Sequence, residues 1–284
     1  MKRIATFTLM MVFTFSMLLI PTSSNIICVQ ASSTIYPQYY EETRFKDMAI
    51  APRGGTPVEI IFEQIHFARR ERVVNAIQPQ MPDIASNINC GVTAATNKIA
   101  WYQRQFPQLI PGHHPGWQVG NNWFWNVRTP QIDEMIDELH IRMGGRGAVG
   151  VTFMEYLTGF GQYVHFRDLS TEIGFHRAGY NEMSPSFFTA IANGMPVSIF
   201  LGGYNITNGP SPNDIGVDVI TLVRHSGYHV MVAFGYQIVS YFDADDNMFR
   251  QDVYLRVANG LSGNGWLRIN THASLHYAIS LHIH

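Results

Sequence analysis

A chain of 284 residues with 46% hydrophobic and 14% charged residues can bury a sizeable core, which excludes a disordered polyelectrolyte or a coiled coil. Lys and Arg number 19 against 21 Asp and Glu, without the basic clusters that phosphate neutralisation needs, so nucleic acid is not an expected partner. Two cysteines are too few for a disulfide framework, and neither CxxC nor HExxH occurs, so no metal site or cofactor is implied.

Lys2 and Arg3 precede an almost continuous apolar run from Ile4 to Ile20, ended by Pro21 and polar residues. This is the layout of a secretory signal peptide (residues 1–31), with cleavage expected after Ala31 and with Val29 and Ala31 at its small-residue positions. The run is also near the minimum for a membrane span, so an uncleaved anchor is the alternative. Cleavage removes Cys28 and leaves one thiol, Cys90, in a secreted protein without a stable anchor.

Residues 32–79 read as a loose leader or pro-segment. Thr56-Pro57 opens either a helix with Val58, Ile61, Phe62 and Ile65 on one side or a strand, since VEIIFEQIHF fits both periods. Arg69, Arg70 and Arg72 read as a solvated face. Residues 80–284 fit one domain without linker or repeat.

Within it Asn89 caps a helix from Cys90 to about Gln103, and Thr129-Pro130 opens a second that Gly144-Gly145 closes. Thr152 and Glu155 make a capping box for a third, and Ser184-Pro185 opens a fourth that Gly194 closes. Strand texture follows at 196–202, 229–239, 253–259 and 265–269. Helices before strands predict an α+β fold with segregated layers.

The chemistry lies where these halves meet. A thiol at the first turn of a helix feels unpaired N–H groups and the positive dipole end, which favours thiolate at Cys90. Gly91 leaves space beside the sulfur. His229, opening a strand, is the candidate base, with His225 in an expected loop as its competitor. Asn259 is the candidate to orient the imidazole through its amide oxygen. Asp243, Asp245 and Asp246 are rivals that read better as a hairpin tip, because Met248 and Tyr254 stand where a calcium loop needs Gly and Glu.

Four segments in chain order resemble the papain-like cysteine peptidases: NCGVTAATNKIAWY (89–102), NGMPVSIFL (193–201), YHVMVAFGY (228–236) and NGWLRI (264–269). The likeness covers about residues 80–284 and is nearest to bacterial members related to bacteriocin-leader peptidases. It implies a helical lobe carrying the Cys helix and an antiparallel β-sheet lobe carrying His and Asn. By the same resemblance Cys90 is the nucleophile, His229 the general base and later acid, and Asn259 the orienting residue, acting on a peptide or protein substrate. The oxyanion would be held by the Cys90 N–H and one side-chain amide. Ile84 stands where the family has Gln, leaving Asn87 and Asn89 as candidates. Gly260 and Leu261 replace the usual Ser-Trp after Asn259, so Trp266 would have to supply the shielding indole. The same triad serves acyl transfer to an amine, as in a transglutaminase-like enzyme, and an inactive descendant would bind peptide or cell-wall material.

His113, His114, His282 and His284 lack complementary carboxylate or thiol spacing and read as loop and chain-end residues rather than metal ligands. Trp117, Trp123, Phe124 and Trp125 suit either a substrate groove or a core plug.

Overall fold

The structure, a computed structural model, describes residues 56–284 except 78, 87, 121, 146–149, 177, 180–181, 211–215, 261–264 and 270–273. The expected signal peptide and residues 32–55 lie outside the described residues. No described helix is long and apolar enough to cross a membrane.

In chain order the elements are β1 (Thr56–His66), β2 (Arg69–Ala76), α1 (Cys90–Tyr102), β3 (Gly116–Val119), β4 (Asn122–Trp125), α2 (Pro130–Arg142) and α3 (Phe153–His165). There follow β5 (Thr171–His176), β6 (Ala178–Gly179), β7 (Glu182–Met183), α4 (Pro185–Ala192), β8 (Val197–Thr207), β9 (Val217–Phe242), β10 (Met248–Ala258), β11 (Gly265–Arg268) and β12 (Ser274–Ile283). The protein is thus a mixed α/β molecule with four described helices and a large antiparallel sheet.

The helices begin where the capping residues say. The Asn89 side chain accepts from Val92 N, Thr129 accepts from Ile132 N, and the Thr152–Glu155 box makes both of its reciprocal bonds. Helix α1 is buried from Gly91 to Tyr102, as a helix enclosed on all sides must be. It contacts α2, α3 and β9, and its apolar residues join one core with those of α2, α3, α4, β8 and β9.

The sheet has eight strands, and four of them close a circuit: β8 pairs with β9, β9 with β10, β10 with β11, and β11 with β8. Closure removes exposed edges from this part of the sheet. Strand β9 runs through the whole arrangement. Its first part lies between β1 and β8, and its last part between β2 and β10. Gly227 at φ 99° interrupts it, in the left-handed region that favours glycine. Residues 56–76, within the expected leader, therefore supply two strands to the sheet, and the ambiguous segment after Thr56 is strand. His225, expected in a loop, also lies within β9. Beyond the circuit, β12 and then β5 extend the sheet from β8.

A second apolar cluster of Ile61, Ile65, Ile220, Leu222, Val239, Tyr241 and Tyr254 is accompanied by buried ion pairs. Arg70 pairs with Asp218, both side chains being 0% exposed, which corrects the solvated reading of that arginine. Tyr241 donates to the same carboxylate at 2.9 Å. Arg250 bridges Glu63 and Asp252, each at 2.8 Å, and Arg268 also pairs with Glu63. Burial pushes the Glu63 carboxyl up, but Arg250 and Arg268 outweigh it and hold the group below its usual range. The DADDN segment is the hairpin tip between β9 and β10, where Asp243 Oδ1 accepts from the N–H groups of Asp245 and Asn247 at 3.0 and 2.9 Å.

Candidate active site

Cys90 is the first residue of α1, and its thiol is partly buried at the junction with β9. Burial raises the thiol above its usual pKa, while the backbone N–H groups of Val230, Cys90 and Gly91 pull it back down. Desolvation wins, which reverses the thiolate preference expected from the helix start alone. The Val230 N–H at the sulfur brings β9 alongside α1, one residue from His229. Gly91 serves packing: a Cβ there would lie 2.1 Å from Val151 Cγ2.

His229 follows the Gly227 interruption and is 3% exposed. Its Nε2 lies 2.9 Å from the backbone oxygen of Asn259. A carbonyl only accepts, so Nε2 carries the proton and Nδ1 the lone pair. Nδ1 is buried and has no hydrogen-bond partner among the described residues, so the Cys90 thiol does not donate to it. Burial drives the imidazole pKa down to about 4, with the Asn259 carbonyl opposing and His225 adding to the drop. The resting pair at neutral pH is therefore a thiol and a neutral imidazole.

Asn259 meets His229, but through its main-chain carbonyl rather than its amide oxygen. Gly260 sets that carbonyl in place. It has φ 72°, its N–H donates to Asp83 Oδ1 at 2.7 Å, and a Cβ on it would sit 2.6 Å from Thr93 Cγ2 on α1. Glycine is needed both for the left-handed conformation and for the close approach.

Of the oxyanion candidates, Asn87 lies outside the described residues. The Asn89 oxygen is engaged as the α1 cap, 2.9 Å from Val92 N. Ile84 presents no side-chain donor. Its N–H donates to Asn97 Oδ1 at 2.6 Å, and its side chain lines a cleft of about 370 Å³ with Val127, Arg128, Ile132 and Asp133. Trp266 lies against Gly209 and Arg256. The ring on His229 is instead Tyr204 of β8, at a centroid distance of 5.3 Å. Sequence reading missed Tyr204. Its signal was available only through strand register, which sets it opposite His225.

Of the remaining histidines, His113 Nδ1 is 3.1 Å from Thr129 Oγ1 and its carbonyl accepts from Gln103. His282, expected at a chain end, lies in β12 with its ring 6.4 Å from that of Tyr102. The indoles of Trp123 and Trp125 pack over Arg104, while Trp117 and Phe124 stack on the exposed side of the β3–β4 hairpin.

Comparison with protein-family models, curated proteins and solved structures finds no match to this chain.

Proposed function

We propose that the protein is an exported, papain-like thiol peptidase or amide hydrolase that works through a Cys90 acyl-enzyme. The observation that carries this reading is the His229 imidazole, with Nε2 committed to a carbonyl and Nδ1 left as a buried lone pair next to the element that touches a helix-start thiol. A base with one nitrogen fixed and the other unengaged is what nucleophilic catalysis requires.

With a neutral resting pair, attack and proton transfer are coupled. The Cys90 proton moves to His229 Nδ1 as the sulfur bonds to the substrate carbonyl carbon, and the carbonyl π pair moves to oxygen. The Asn259 carbonyl stabilises the imidazolium so formed. The Cys90 and Gly91 N–H groups, which lie at the sulfur and are not taken by the Asn89 cap, would serve the oxyanion. Collapse breaks the C–N bond, Nδ1–H protonates the leaving amine, and a thioester remains on Cys90. Water, deprotonated by Nδ1, then releases the acid and restores the thiol. An amine in place of water would give acyl transfer.

The raised thiol and the absence of a thiol–imidazole hydrogen bond favour a second reading, an inactive papain-like protein that holds peptide or cell-wall material. The deciding experiment exposes the purified protein and Cys90→Ala to a diverse peptide mixture and sequences new termini by mass spectrometry. Cleavage lost in Cys90→Ala, with a transient acyl adduct on Cys90, supports the peptidase. Equal product with both proteins, or none, overturns it.

A further inference from the structure

Tyr204 is 0% exposed, and its ring stacks with two imidazoles. One is His225, with centroids 4.7 Å apart and planes 7° apart; the other is His229, at 5.3 Å and 26°. Its hydroxyl is buried and has no hydrogen-bond partner among the described residues. An unpaired buried hydroxyl costs free energy, so no polar bond of its own explains why this phenol is held here. Its other contacts are an electrostatic one with the Cys90 thiol, which adds to burial in raising the phenol, and the stacking on the base.

The Asn259 carbonyl fixes the tautomer of His229 and one end of its ring, but a single hydrogen bond leaves the ring free to tilt about that contact. A flat aromatic face against the imidazole removes the tilt. Aromatic pairs of this offset-stacked kind contribute favourably beyond the area they bury. Tyr204 also stacks with His225, and the β8–β9 register places Tyr204 and His225 as direct cross-strand partners. The stack is thus built into the sheet rather than into a loop.

We propose that Tyr204 is a positioning residue for His229, its ring forming the wall that aims Nδ1 at the Cys90 thiol. The consequence for reactivity rests on the peptidase reading; the orientation of the imidazole does not. The shielding that the papain-like pattern would draw from an indole after Asn259 comes here from the neighbouring strand. The positioning is assigned to the ring, so a phenyl group in the same place should suffice for it.

Two measurements on the purified protein test this. In isotope-labelled wild type, the His229 ring protons should show an upfield ring-current shift and a single Nε2–H tautomer. In Tyr204→Leu the ring-current shift should vanish, and labelling of Cys90 by an epoxysuccinyl peptide should slow on the order of 10- to 100-fold, the scale expected of a misaimed base. The pH profile should change as well. Tyr204→Phe should restore the rate, the profile and the shift. The proposal is overturned if wild-type His229 shows no ring-current shift, or if Tyr204→Leu is labelled at the wild-type rate with an unchanged profile. Labelling that ignores His229→Ala would instead remove the peptidase reading, and the ring-current result would still decide the positioning role. That spectrum needs no variant, so a failure of Tyr204→Leu to fold leaves the proposal testable.

Discussion

Lys98 lies two turns into α1, 0% exposed, and its ammonium nitrogen has no hydrogen-bond partner among the described residues. Burial alone lowers its pKa from 10.5 to about 7. At about 1.4 kcal/mol per pKa unit this corresponds to a penalty of roughly 5 kcal/mol when the group is charged in the folded state. The unfolded chain binds the proton more tightly, so stability should rise as pH climbs from about 7 towards 10.5, and the full penalty should apply below about 7. Lys98→Met keeps the unbranched stem and removes only the ammonium. It should stabilise the protein by roughly 3 to 5 kcal/mol at pH 6 to 7, with the gain shrinking by about 1.4 kcal/mol for each pH unit above that. Urea unfolding of both proteins at several pH values isolates the effect, because contributions from other groups largely cancel in the difference. A gain that does not vary with pH, or a loss of stability, would mean that the amine has a partner.

Three further outcomes follow from particular contacts. Arg268→Met leaves Glu63 and Asp252 short of a buried partner and should cost about 3 to 5 kcal/mol in urea unfolding; a change under 1 kcal/mol would contradict the buried network. The depressed His229 means that stability present above the usual histidine range is lost as pH falls through about 4, worth roughly 3 kcal/mol. His229→Gln should therefore resist acid unfolding better than wild type, read by circular dichroism between pH 6 and 3, and an unchanged acid midpoint would tell against a buried neutral imidazole. Gly260→Ala meets both a positive φ and the Thr93 methyl, so it should destabilise by about 1 to 3 kcal/mol and slow Cys90 labelling by displacing the Asn259 carbonyl; wild-type values for both would show that the loop has room.

Much of the helical architecture was legible because its signals are local. The caps at Asn89, Thr129 and Thr152 lie within a few residues of the groups they satisfy. Strand β9 was only half legible, since Gly227 breaks its pattern while cross-strand pairing carries the strand through. VEIIFEQIHF fits two periods, and its pairing with β9 decides between them. Arg70 read as solvated because its acidic partner, Asp218, is remote in sequence and brought near only by the sheet.

The site divides in the same way. Cys90 and His229 carry distinctive side chains and were named from the sequence. Asn259 was named for its amide, yet the contact uses a main-chain carbonyl that any residue possesses, so residue type held no information about it. Gly260 was the better signal there, because only its conformation and its approach to Thr93 depend on side-chain identity. The thiolate expectation weighed the helix dipole without the desolvation, and burial is not readable from a capping motif.

An acyl-transfer pair made of Cys90 and His229 is tested by the rate of Cys90 labelling by an epoxysuccinyl peptide against pH. Labelling should depend on His229, hold steady through neutral pH and fall as the imidazole protonates near pH 4. It should be absent in Cys90→Ser and on the order of 100-fold slower in His229→Ala, as loss of a general base entails. A rate that climbs about tenfold per pH unit up to the ordinary thiol range, equal in His229→Ala, would contradict it.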